Sequence, residues 1–466
     1  RFSLTVNTTG AYNTALGASA LDANTTANNN TAIGAYSLTT NTTGANNTAL
    51  GRSALKLTTT GANNVAVGYN ALENNTTGAD NVSVGTDSLA TNTTGTNNTA
   101  LGRLALFANT TGAQNDALGA NTLASNTTGS DNTAIGGWAL QNNTTASNNV
   151  AIGRQTLQQN TTGANNTALG RSALTANTTG AGNSALGFQA LVTNTTGANN
   201  VGLGYQALEA NTTGGNNIAI GRGSLGLNTT ANNNTAVGYD SLAANTTGAD
   251  NVAIGKAALD ANTTAADNTA IGSNAMTANT TGTANVAVGT SSVASNTTAS
   301  NNTAVGQASL NRTTTGANNT AVGKDALLLN TTGTDNVAMG KSAMSAATTG
   351  SGNVAFGSGS FGAITTGSYN TAIGEGSGNA GGTPVTTGTR NICIGGYPRT
   401  SASDSTDQIV MGYTVVGSGN STITVGYGAT DSTLTFGGTT WSAPSDVRLK
   451  ENIQDAEAGL SFINDL

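Results

Sequence analysis

The sequence contains no histidine, a single cysteine and only three prolines in 466 residues. Without histidine, the usual general base at neutral pH and the commonest transition-metal ligand are both missing. One cysteine, Cys393, excludes an internal disulfide framework. It stands two residues before Gly395, where Ala is the rule in comparable segments, and reads as a small buried filler. Aromatic residues make up 4% of the chain and charged residues 8%, a composition that by itself suggests disorder. Disorder is excluded by the way the apolar residues return in phase along the chain. The net charge of −7 is spread without any basic cluster, which argues against a nucleic-acid partner. No run of about 20 apolar residues is present, so nothing in this sequence inserts into a membrane as a helix. No signal peptide is visible; Arg1 begins in mid-repeat without a Met and reads as the edge of a fragment, so that absence carries no weight.

What the chain does have is a clock. Glycine recurs every 17 residues from Gly17, Gly34, Gly51, Gly68, Gly85 and Gly102 without a slip to Gly374, giving 22 glycines in one register. A globular domain has no use for such regularity, whereas a stack of equivalent coils must set each turn above the last. The repeat reads as N-T-T-G-A-N-N-T-A-L-G-x-S-A-L-x-x, as in Asn41 to Leu57.

Within one coil, Asn46-Asn47-Thr48-Ala49-Leu50 alternates with the period of a short strand. The expectation is that Thr48 and Leu50 point into the coil while Ala49 lies on the outer face and permits close approach of another surface. Ser53-Ala54-Leu55 forms a second short segment with another recurring Leu. Gly and clustered Asn and Thr disfavour helix, and parallel strands stacked about 4.8 Å apart satisfy the backbone instead. The fold class is therefore all-β: a parallel β-solenoid of about 22–24 coils, roughly 105–115 Å long at that spacing. Asn47, Asn64, Asn81, Asn98 and Asn115, each four residues before a glycine, are expected to form a hydrogen-bonded ladder. Asn92-Thr93-Thr94-Gly95 reads as a corner whose side chains bond local backbone. Ala replaces Gly95 in equivalent coils, so this corner needs no positive φ. The glycine of Gly17 and its successors is never replaced, which points to a strained turn or close packing there.

Three regions follow. Residues 1–374 form the regular shaft, residues 375–440 an irregular β end that caps it, and residues 441–466 a segment of different character. The irregularity starts where Gly395 follows Gly374 by 21 residues instead of 17. From Asn452 to Leu466 the apolar residues Ile453, Ala456, Leu460 and Ile463 share one helical face, predicting a short C-terminal helix.

Two resemblances can be named on these residues. Asn251-Val252-Ala253-Ile254-Gly255 and its variants resemble the head repeat of trimeric autotransporter adhesins of the YadA type. The 17-residue N-T-A-I-G-x-x-A-L form is similar to repeats of tail-fibre-like proteins of bacteria and phages. The resemblance implies a left-handed β-roll and a homotrimer of chains side by side. Ser445-Asp446-x-Arg448-x-Lys450-x-Asn452-Ile453 resembles the opening of the intramolecular chaperone domain of phage tailspikes and tail fibres, which drives trimerisation and then cuts itself off. That resemblance implies Ser445 as nucleophile, Lys450 as its base and Pro444–Ser445 as the scissile bond, chemistry that a Lys of depressed pKa can support without histidine.

The leading functional expectation is an extracellular structural and adhesive fibre, a phage tail fibre or bacterial surface appendage. Its partners would be copies of itself and a host or neighbouring-cell surface glycan or receptor, with no cofactor and no metal. Arg52, Arg103, Arg154, Arg171, Tyr69, Tyr205 and Tyr239, each just after a glycine, serve solubility and charge spacing, or weak multivalent glycan contacts. A polysaccharide-degrading tailspike is disfavoured because the 22 acids are dispersed and form no cluster. Ice binding is a further alternative, disfavoured because adjacent Thr-Thr in a strand points to opposite faces. Eighteen Asn-Thr-Thr triplets, including Asn24, Asn41, Asn75 and Asn92, match the N-glycosylation acceptor, or are simply turn chemistry.

Overall fold

A computed structural model describes residues 3–379, 381–428 and 431–440. The chain is a parallel β-solenoid of about 24 turns, and no helix occurs among the described residues. The predicted C-terminal helix, with Pro444, Ser445 and Lys450, lies outside the described residues. The chain divides into two compact units, residues 1–290 and 291–466.

In the first unit, strands run from β1 (Thr14–Leu16) to β17 (Val286–Val288), one three-residue strand per coil. Each pairs in parallel with its neighbour at a shift of one repeat, as in Thr48↔Val65, Ala49↔Ala66 and Leu50↔Val67. The rest of the coil has no strand, yet it is bonded to the next coil almost residue for residue. The Leu55 amide donates to the Ala71 carbonyl (3.0 Å), Leu57 to Glu73 (2.9 Å), Thr59 to Thr76 (2.9 Å) and Asn70 to Arg52 (3.1 Å). Backbone polar groups away from the strand thus find partners too, as burial requires.

The inside and outside of the strand are the reverse of the sequence expectation. Ala49 is fully buried, whereas Leu50 is 36% exposed and Thr48 half-buried. The reason is the width of the coil interior. In β12 (Val201–Leu203), the usual Ala is Gly202, and a Cβ added there would lie 3.3 Å from Cγ of Leu191. One methyl fills the gap between the strand and the buried Leu, so a larger residue must face out. The core of a coil is accordingly a single Leu (Leu55, Leu72, Leu89), small residues such as Ala49 and Ala54, and two buried Asn positions.

Fitting that Leu demands an unusual backbone. Leu55, Leu72 and Leu89 have φ of 53°, 55° and 49°, in the left-handed region that L-residues avoid. Complete burial of the side chain, worth about 2 kcal/mol, offsets a strain of about 1 kcal/mol.

The second unit is built of the same kind of coil, from β18 (Thr303–Val305) to β22 (Thr371–Ile373). β23 (Ile392–Ile394) keeps register across the longer coil, with Thr371 opposite Ile392 and Ala372 opposite Cys393. β24 (Ile409–Tyr413) and β25 (Thr422–Tyr427) lengthen to five and six residues. β26 (Ser432–Thr435) then runs antiparallel to β25, the one reversal among the described strands of this unit.

Candidate functional site

The repeated residues fall into columns, and their roles separate by column. The glycine column (Gly17, Gly34, Gly51, Gly68, Gly85 and Gly102) has φ between 134° and 141°. A Cβ on Gly17 would also stand 2.5 Å from the Gly34 carbonyl oxygen. Both the backbone angle and the approach of the next coil exclude a side chain. Gly95 carries no positive φ, in line with its exchange for Ala elsewhere.

The ladder of Asn47, Asn64, Asn81, Asn98 and Asn115 is present and fully buried. The Asn64 amide side chain donates to Asn47 Oδ1 (3.1 Å) and to the Gly78 carbonyl (3.0 Å), and its backbone N–H also reaches Asn47 Oδ1 (2.9 Å). A second ladder was not foreseen. Asn24, Asn41, Asn75 and Asn92, the first residues of Asn-Thr-Thr triplets, are also fully buried. Asn92 Nδ2 donates to Asn75 Oδ1 (2.9 Å) and to the Gly95 carbonyl (3.0 Å). The amide nitrogens of Asn24, Asn41, Asn75 and Asn92 are buried and hydrogen-bonded within the coil, so a sugar on any of these four is incompatible with this fold. At these four positions burial favours the turn reading of the triplet over the acceptor-site reading. The signal was available: the first Asn of the triplet recurs at a fixed phase, ten residues before the repeat glycine, in 18 of the 22 coils.

The residues just after the glycines stack on one another. Phe188 and Tyr205 lie ring on ring, centroids 5.5 Å apart at 17°. The Arg171 guanidinium sits 5.9 Å from the Phe188 centroid, and Arg222 lies between Tyr205 (5.7 Å) and Tyr239 (5.6 Å). Arg52 meets Tyr69 (5.7 Å) and Arg154 meets Trp138 (4.9 Å) in the same manner. Rings and cations therefore contact one another between successive coils.

The acids, read as dispersed, converge at one place. Gly223 and Gly226 leave a notch of about 330 Å³, lined also by Glu209, Asp240 and Asp260 on neighbouring coils. Burial pushes the Asp260 carboxyl above its usual range; the Ala261 N–H opposes that shift and the Asp240 charge adds to it. Glu209 accepts from Gln206 Nε2 at 2.9 Å. Phase along the repeat would have shown these acids as neighbours, although they lie far apart in sequence. Among the described residues, no group of three or more His, Cys, Asp or Glu is gathered as a metal ion needs.

The outward strand residues form a column without cover. Leu101, Leu118, Leu169, Leu186, Ile220 and Ile254 are 38–45% exposed, one per coil, with Thr99, Thr167 and Val252 two residues before three of them. Val305, Met339, Phe356 and Ile373 occupy the same position in the second unit. No protein-family model matches the chain, and no curated protein matches it either.

Proposed function

We propose that the chain is the shaft of an extracellular fibre built by side-by-side association of identical chains, a homotrimer of the tail-fibre or surface-appendage kind. The observation that carries this reading is the uncovered aliphatic column on the strand face. One large apolar residue per coil, repeated every 17 residues, makes an apolar strip along each compact unit, of the kind that marks an interaction surface. A partner that contacts every coil must share its repeat, and another copy of the chain does. Side-by-side packing buries the strip and adds apolar contact to a coil whose own interior holds one Leu.

Sedimentation of the purified full chain tests the reading. A trimer is expected, and Leu169→Lys, Leu186→Lys and Ile220→Lys together should shift it to monomer while strand content is retained. A wild-type chain that sediments as a monomer at micromolar concentration would refute it. The self-cleaving chaperone role of Ser445 and Lys450 belongs to the same proposal and rests on their resemblance to the tailspike domain.

A further inference from the structure

The 17 coils of residues 3–290 act as an internal alignment, because each copy has been free to diverge. The position after the glycine has done so, holding eight residue types from Ala18 to Thr290. Eight residues before the glycine there has been no change: Thr stands there in every coil, from Thr9, Thr26 and Thr43 to Thr281. Every one of these side chains is exposed. The preceding Thr is equally constant and has a visible reason, since its hydroxyl bonds the next coil (Thr42 Oγ1 to the Thr59 carbonyl, 3.0 Å; Thr93 to Thr110, 3.0 Å). The exposed Thr hydroxyls make no hydrogen bond within the chain; only the backbone N–H is used, as from Thr43 to the Thr59 carbonyl at 3.3 Å.

Chain-internal needs do not account for this constancy. A preference for a β-branched backbone would admit Val or Ile, and a need for polarity would admit Ser; none occurs at this position in these coils. Methyl and hydroxyl are retained together. Three residues further on runs a column that is Asn or Asp in all coils but four (Tyr12, Gln114, Gly182 and Ala284), linked in places, as from Asn46 Nδ2 to Asn63 Oδ1 at 3.0 Å. Cations are kept away: every Lys and Arg of residues 3–290 stands one or five positions after a repeat glycine.

A partner for this side must repeat along the coil axis every 4.8 Å or so, the strand spacing. An anionic polymer would call for cations here, and a cationic one would find Asp at only four of the 17 flanking positions (Asp80, Asp131, Asp250 and Asp267), so an uncharged partner fits best. It must also both give and take hydrogen bonds, as a Thr hydroxyl does. We propose that the exposed Thr column, with its flanking Asn/Asp column, orders water into a lattice and binds ice. The two Thr of each pair lie at a corner and not in a strand, so one hydroxyl turns to the next coil while the other faces solvent, and strand alternation does not bar an ice-binding face. The inference goes beyond the fibre proposal and holds for a monomer or a trimer.

The test is partition of the purified full chain into slowly grown polycrystalline ice, with thermal hysteresis read on the same sample. Enrichment in ice is expected. Thr128→Asp, Thr145→Asp and Thr162→Asp together should lower it roughly tenfold, since adjoining contacts of a multivalent array are lost at once. Thr→Ser at the same three positions, which removes only methyls and threatens folding less, should also lower it. Arg103→Ser with Lys256→Ser, away from the column, should leave it unchanged. Exclusion of the wild-type chain from ice overturns the proposal, as does equal partition of folded Asp or Ser variants. Retention on crystalline cellulose without enrichment in ice overturns it as well, assigning the column to a neutral polysaccharide.

Discussion

At the scale of the residue, the clearest control on the second Asn ladder is where it fails. Asn41 Oδ1 and Asn330 Oδ1 are buried with no hydrogen-bond partner. In both cases the following coil lacks the amide that would donate, because Thr58 and Ala347 stand in place of Asn. Asn75 correspondingly reaches Thr58 Oγ1 at 3.4 Å, where intact steps of the ladder are nearer 2.9 Å. Thr58→Asn should therefore stabilise the coils around it by about 1 kcal/mol, supplying a donor to Asn41 and a better acceptor to Asn75. Amide hydrogen exchange over residues 41–78 is the measurement, and slower exchange is the expected outcome. The foreseen ladder was legible because a fixed Asn four residues before each glycine has no other reason to be constant. The second was hidden by the acceptor-site pattern of Asn-Thr-Thr, which invited a covalent reading of a packing residue. The left-handed Leu residues carried no sequence signal, since Leu is not a residue from which a positive φ is inferred.

At the scale of the element, alternation along a three-residue strand told which side chains share a face. It did not tell which face is inside. Size would place Leu50 in the core, but the gap holds one methyl, and Ala49 takes it. Cys393 of β23 occupies that same inward position, opposite Ala372 and Val410, and was legible as a small buried filler. Burial pushes its thiol up to about 12 from an ordinary value of 9.0. The folded state therefore holds this proton more tightly than the unfolded chain does. The resulting stability is complete below pH 9.0 and is lost as pH rises from there toward about 12. Thermal unfolding of the second unit should fall across that window more steeply in the wild type than in Cys393→Ala. Matching slopes would mean that the thiol is not held as the structure has it. At neutral pH the same residue should resist iodoacetamide until the chain is unfolded.

At the scale of the whole molecule, the 17-residue clock made the solenoid readable before any coordinate, and neither the corner chemistry nor the ladder contradicts it. The notch beside Gly223 escapes a scan along the chain and is legible only by phase, which sets Glu209 and Asp260 in one column five residues after a repeat glycine. For the processing step, intact mass of the natural product is decisive. A C-terminus at Pro444 is expected, with Ser445→Ala leaving the mass extended; an unprocessed wild-type product that forms trimers all the same would remove the chaperone from the proposal. One feature also bears on use. Between β22 and β23 the coil takes four more residues than its neighbours, 21 against 17, and the strands on either side stay in register. The lattice thus possesses a natural grafting point: a foreign peptide placed among residues 375–391 would be displayed at a fixed height on a ruler graduated in single coils.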